Sequence, residues 1–271
     1  MITINWPFAG SMFAFTALLL IGHELFRYYL RATAVFFLMV AVTLPLWLHN
    51  ADDWFRLVKV LSVVIPICFL NQVRLSNRAG EVRGAIFRRR WVFWVLYGVV
   101  LVNIIQLCVK DLTLGNYANA VAGILICLTT ERAGTWRVDK SPGSMADILV
   151  DTPIIWCLLY TTWIACFVYA EHPDYLAHVL CILAVPMVYT LAGRSDLWFS
   201  ARAYSLAVSL FIRGSYDFVT PTMNSAAWAN ADALKVWGCV NLALALVFVL
   251  YSLVSYTRST RVHPAVSSDR G

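Results

Sequence analysis

In this chain of 271 residues, a few polar side chains sit inside otherwise apolar stretches, and those are the side chains equipped for chemistry. His23 and Glu24 precede Arg27 and Tyr28 at i,i+3 and i,i+4 spacing, which sets an imidazole, a carboxyl and a guanidinium close together on a helix. Glu24 is a candidate catalytic acid, and Asp151, just ahead of Pro153, is the second. A carboxyl held in a dry pocket titrates upward and can exchange a proton near neutral pH. Lys59, Asn103, Gln106, Asn119 and Arg202 are of another kind, suited to holding a small polar ligand. Asn103, Gln106 and Lys110 recur at i, i+3 and i+7 and make one helical stripe, closed by Asp111. Asn116 and Asn119 follow just across the next turn. Depth along the helices predicts that Lys59, Asn103, Gln106 and Asn119 line one cavity, with Glu24, Asp151 and Arg202 clustered toward the opposite end. Each has a plainer role beside it. Glu24 can form a local ion pair with Arg27, Lys59 can snorkel to the surface, and the amides can bond between helices for about 1 kcal/mol each.

Several familiar chemistries fail on spacing. His-Glu-Leu-Phe-Arg at 23–27 is not a zinc-binding HExxH, because Arg27 stands where the second histidine is needed. With five histidines in all, the chain has no histidine box, and it has neither a GxGxxG nor a P-loop. Asp147 and Asp151 form one DxxxD, whereas a magnesium-diphosphate site needs a second, so the pair reads as a solvated loop face. Lys235 lies in the first turn of the last apolar segment, too shallow for a retinal Schiff base. The seven cysteines all fall in apolar segments without CxxC spacing and read as small core residues. No cofactor or metal is implied.

These residues must be positioned by helices in a bilayer. The chain is 61% apolar and 13% charged with a mean hydropathy of +0.71, too little polar surface to coat a soluble globule. Soluble enzymes, disordered tails and nucleic-acid modules are excluded. Nine apolar segments follow in order: about 8–29, 32–48, 54–73, 91–109, 117–130, 153–170, 176–193, 197–213 and 235–256. The fold class is therefore all-α, a polytopic transmembrane bundle of about nine spans over 1–257, with a tail at 258–271. Segment 117–130 is short enough to tilt, break or re-enter. Residues 1–22 lack a charged n-region and the apolar run continues through Tyr28, so a span is expected there rather than a cleaved signal.

The net charge of +6 resides in short loops. Arg74, Arg78, Arg83 and Arg88–Arg90 share the third loop, and Arg132, Arg137 and Lys140 the fifth. Arg194 stands in the seventh, and Arg258, Arg261 and Arg270 in the tail. All of these fall on one face only with nine spans, since eight would split the third loop from the tail, and the positive-inside rule then predicts an outer N-terminus and a cytoplasmic C-terminus in the cell inner membrane. Trp6, Trp47, Trp54, Trp228 and Trp237 fall at expected outer ends, and Trp91, Trp136 and Trp198 at inner ends. Arg213 and Asp217 sit at i,i+4 as an outer end cap.

Three stretches, HELFRYYLRATAVFF with DWFRLVKVLS, VNIIQLCVKDLTLGNYANAVAGIL, and FSARAYSLAVSLF, resemble an uncharacterised bacterial multi-pass membrane family, a domain of unknown function. The resemblance implies family positions at Glu24, Lys59, Asn103, Asp111, Asn119 and Arg202 and implies no activity. A glutamate is usual in that family where this chain has Gln106, which removes an acid from the site.

Three functions fit. A carrier or permease would use two offset polar clusters as an alternating path, although no internal repeat is visible. A membrane-embedded cyclase, lyase or transferase would need a carboxyl and an amide in a dry pocket. Asn103-x-x-Gln106 is similar to the Asn-x-x-x-Glu motifs of integral-membrane terpene cyclases, but without the acid. An accessory subunit of a complex would need only aromatic faces and short loops. The expected partners are the lipid bilayer, a small-molecule ligand and a second copy of the chain, with no nucleic acid.

Overall fold

A computed structural model of the chain describes residues 6–44, 54–78, 84–216 and 219–262. It is helical throughout, apart from one short strand pair. The helices are α1 (Trp6–Tyr28), α2 (Leu30–Val42), α3 (Trp54–Asn77), α4 (Trp91–Thr113), α5 (Tyr117–Thr129), α6 (Ile154–Glu171), α7 (Leu176–Leu191), α8 (Trp198–Ser215), the single turn α9 (Val219–Thr222), and α10 (Ala231–Val262). Each of the nine apolar stretches carries a helix. Six segments are long and apolar enough to cross a membrane: Trp6–Tyr28, Val60–Asn77, Trp91–Thr113, Ile154–Glu171, Pro173–Leu191 and Ala231–Ser255. At 13 residues, α2 and α5 rise only about 20 Å, short of a hydrocarbon core of about 30 Å. In α8 the length is sufficient, but Arg202 and Arg213 interrupt the apolar run. The last helix continues past residue 257 to Val262.

Left-handed glycines end two helices and set the turns. Gly115 (φ 76°) follows α4, and the amide of Asn116 reaches back to the carbonyl of Asp111 at 2.9 Å. Gly193 (φ 77°) does the same after α7, with the Arg194 amide on the Tyr189 carbonyl at 2.8 Å. Both are Schellman closures, in which only glycine takes the positive φ without strain.

Two helices contain proline, and each loses a backbone bond four residues earlier. Pro66 frees the Ser62 carbonyl of α3, and the Asn103 amide of α4 lies 3.5 Å from it. Pro186 frees the Ile182 carbonyl of α7, and the Ser205 hydroxyl of α8 donates to it at 3.3 Å. A neighbouring helix thus covers each orphan acceptor, as hydrocarbon surroundings require.

Around the interior run α3, α4, α5, α6, α7 and α8, each packed on the next and α8 closing on α3. Outside this ring α2 packs on α3, α1 on α7 and α8, and α10 on α5 and α6. Trp156, Trp163, Trp198, Tyr204, Phe37 and Phe167 are among the largest wholly buried side chains. Outward faces are apolar as well: Phe13 is 77% exposed, Val247 66% and Leu250 62%. That is the surface a bilayer would cover.

The segment between α5 and α6 departs from its expected solvated form. Arg137–Val138 and Ile148–Leu149 pair antiparallel, Arg137 opposite Leu149 and Val138 opposite Ile148, closed by a turn with Gly143 at φ 77°. Trp136, Ile148, Leu149 and Val150 are buried under one end of the bundle. Trp136 and Trp198, expected in an interfacial belt, lie inside the protein instead.

Candidate functional site

Ionic and polar side chains gather in three places. The first is the end of the bundle where α1, α3 and α7 finish. Arg27 donates to Glu24 at 2.8 Å and to Asp147 at 2.8 Å, and Arg74 donates to Asp147 at 3.0 Å. Arg74 is wholly buried and also reaches the Tyr204 hydroxyl at 2.8 Å and the Met145 carbonyl at 3.0 Å. Tyr204 in turn donates to Asn71 at 2.6 Å. Tyr189 donates to Glu24, and its hydroxyl meets His23 Nδ1 at 2.8 Å. Two carboxylates face two guanidinium groups, so the network neutralises itself. Asp147 corrects the solvated reading of the DxxxD: it is buried, and the strand pair delivers it to both arginines.

The second place lies at the opposite end, where α4, α5, α6 and α10 meet. Asp111, fully buried, accepts from Asn116 at 2.9 Å and from Asn119 at 2.7 Å. Asn241 of α10 donates to Asn119 at 2.8 Å, and the Trp163 indole donates to the Asn119 carbonyl at 2.9 Å. Trp237 and Thr162 extend the chain of bonds to Asn241. Helices α5 and α6 come this close because residue 123 is glycine: a Cβ there would stand 2.4 Å from Cys108 Sγ and 2.6 Å from the Trp163 ring.

The third place is a cavity of about 240 Å³ among α3, α4, α6, α7 and α8. It runs from Trp136, Ile148 and Trp198 at one end to Gln106, His178 and Arg213 at the other. Between Arg202 and Arg213 alone, eleven residues of α8 rise about 16 Å. Most of the wall is apolar, with Ser62 and Asn103 (2.9 Å apart), Gln106, Tyr160, Arg202, and Ser209 with His178 (3.0 Å) as its polar points. Arg213 stacks on the Tyr175 ring at 3.7 Å.

The candidate residues divide among these places. Asn103, Gln106 and Arg202 line the cavity. Asn119 belongs to the Asp111 network and is not in the cavity wall. The side chain of Lys59 lies outside the described residues, as does the Arg213–Asp217 pair. Glu24 sits in the ion network, with its side chain 41% exposed. Asp151 is exposed on the strand-pair segment, where Arg137 donates to both carboxylate oxygens and holds its carboxyl below the ordinary aspartate range. Neither candidate acid reaches the cavity, and Glu24, Asp151 and Arg202 do not form one cluster. Among the described residues, no group of His, Cys, Asp and Glu could hold a metal.

No family model matches the chain, and no curated protein or solved structure matches it either. The geometry therefore carries the functional argument alone. Arg74, Tyr160, Trp198 and Tyr204 are the side chains of these places that spacing did not single out, whereas Asp147 was marked by the DxxxD but read as solvated. Asn71 and Arg74 stand at i,i+3 near the end of α3, a polar stripe that marks one of them. The aromatic members carry no such mark in a chain with 11 tryptophans and 12 tyrosines.

Proposed function

We propose that the chain is a nine-span protein of the inner membrane, N-terminus outside and C-terminus cytoplasmic, that carries a small molecule through its central cavity. The observation that carries this reading is the cavity itself. It is walled by helices, extends along most of α8, and has polar points at both ends of an apolar barrel. A path across a membrane needs that length and that lining. Side-chain pairing supports the alternation of the helices: the last turns of α1, α3 and α7 meet in the ion network, while the last turns of α4 and α6 meet through Lys110 and Glu171 at 3.9 Å.

An enzyme of the acid–base kind draws less support. Glu24 is bound by Arg27 and Tyr189, Asp151 by Arg137, and the cavity wall has no carboxyl among its residues.

The test is flux in proteoliposomes of a labelled short-chain carboxylate, amine and alcohol, with Ala203→Trp and Leu206→Trp as cavity-filling variants. At least one solute should cross faster than in protein-free vesicles, and both variants should slow it. Flux no greater than in empty vesicles for every solute, or flux indifferent to filling, refutes the carrier.

A further inference from the structure

Arg202, half-buried in the cavity wall, is unlike the buried Arg74. Arg74 is given Asp147, the Tyr204 hydroxyl and the backbone carbonyls of Phe26, Arg27 and Met145. Arg202 has no carboxylate within 4.0 Å among the described residues, and its Nε and Nη1 are cut off from solvent with no acceptor. The guanidinium has a hydrogen bond with Tyr160.

The surroundings repeat this shortage of acceptors. Trp156 and Tyr160 are at i,i+4 on α6 with rings stacked 5.2 Å apart. Trp198 and Arg202 are at i,i+4 on α8, and the Trp198 ring meets Tyr160 edge-on at 4.8 Å and Trp156 at 5.3 Å. The indole nitrogens of Trp156 and Trp198 are also buried with no acceptor. Two facing helical pairs thus bring together one guanidinium and two indoles, whose four buried nitrogens lack an acceptor, and no carboxylate. Buried donors left unpaired cost free energy, and a buried charge left unpaired costs more. Above this floor the cavity wall is apolar, with Ile67, Val100, Ile164, Ile182 and Leu206.

We propose that this end of the cavity binds a small amphipathic anion, with its carboxylate or phosphate ester on the Arg202 guanidinium beside Trp198 and its apolar portion along the aliphatic wall. An anionic oxygen in the cavity supplies the counter-charge that Arg202 lacks, and a guanidinium fork matches both carboxylate and phosphate. The volume of about 240 Å³ limits the tail to a short chain. The proposal deepens the carrier reading, rests on its cavity, and is tested by equilibrium binding so that the two can fail separately.

Calorimetric titration of the full chain in phosphatidylcholine nanodiscs, with hexanoate, hexyl phosphate, hexanol and hexylamine as probes, decides it. One or both anions should bind at least about tenfold more tightly than the alcohol and the amine, and the better of the two identifies the head group. Arg202→Gln should abolish that preference. Trp198→Phe, which keeps a ring and removes the N–H, should weaken the anion by a smaller factor. Adding phosphatidylglycerol to the disc separates the sources: a lipid headgroup as the natural occupant would lower the apparent affinity for the free anion, and a soluble ligand would leave it unchanged. Equal binding of alcohol and anions, or undiminished anion affinity in a folded Arg202→Gln protein, overturns the proposal. The probe series on the unaltered chain decides the matter even where a variant fails to fold. Anion binding without flux upholds this site and removes the carrier, whereas flux of a neutral solute without anion preference upholds the carrier and removes this site.

Discussion

Replacing Asp147 by Asn keeps the shape of the side chain and takes away the charge that joins two guanidinium groups. Arg74 is wholly buried, and the Arg27 side chain is only 15% exposed. Arg27 keeps Glu24 at 2.8 Å, so it stays paired. Arg74 keeps only the Tyr204 hydroxyl and backbone carbonyls, and becomes a buried cation without a counter-charge. Breaking a buried pair from one side costs about 3–5 kcal/mol, because the partner left behind is neither hydrated nor compensated. At roughly 2–4 °C per kcal/mol for a chain of a couple of hundred residues, Tm should fall by about 6–20 °C. The assay is thermal unfolding in a mild detergent, followed by circular dichroism and tryptophan fluorescence. The decisive companion is Asp147→Leu with Arg74→Met, which removes both members and leaves Arg27 on Glu24. That double variant should recover at least about 2 kcal/mol relative to Asp147→Asn, since no orphan charge remains. A fall of less than about 2 °C for Asp147→Asn, or a double variant no better than the single, would show that the network is hydrated and that the burial argument fails.

Gly123→Ala should destabilise by about 1–3 kcal/mol, read as a lower Tm, because the new methyl meets both Cys108 and Trp163. Asn103→Leu should cost about 1 kcal/mol or less in the same melt, since it removes one bond to Ser62 and the cover of a carbonyl freed by Pro66. Asp151→Asn should matter little. Arg137 depresses the Asp151 carboxyl, so any stabilisation is present above its unfolded pKa and vanishes as pH falls through the lower folded value. Being exposed, the pair should also fade with salt; a Tm difference that grows on acidification would contradict this.

Helices were legible in the sequence because an apolar run in a nearly uncharged chain leaves the backbone one way to satisfy itself. Their ends were read less closely: α7 stops at Leu191 near the expected 193, but α4 runs on to Thr113, past the expected 109. Which polar residues meet was legible only within one helix. Glu24 with Arg27 follows from i,i+3 spacing, but Arg74 with Asp147 joins residues 73 positions apart and needs the strand pair to fold under the bundle. Arg74 looks like one more arginine of a basic loop until its partner is known. Asn119 shows the reverse error. Its depth matches Asn103 and Gln106, but depth carries no angular information, and its side chain turns toward α6 and α10 rather than into the cavity.

The division of charge also explains why the cavity, and neither of the two paired networks, is the place to look for function. At one end, two carboxylates meet two guanidinium groups, and at the other Asp111 is wrapped by two asparagine amides. Both networks pair their charged groups within the protein and use their hydrogen bonds to fix helices against one another. A ligand there would have to break protein contacts to enter. Arg202 and Trp198 line the cavity, and Arg202 has Tyr160 but no carboxylate beside it among the described residues. A cation in a mostly apolar wall with no carboxylate beside it is a cost to the fold. The anion proposed above would offset that cost by entering the cavity and pairing with the guanidinium.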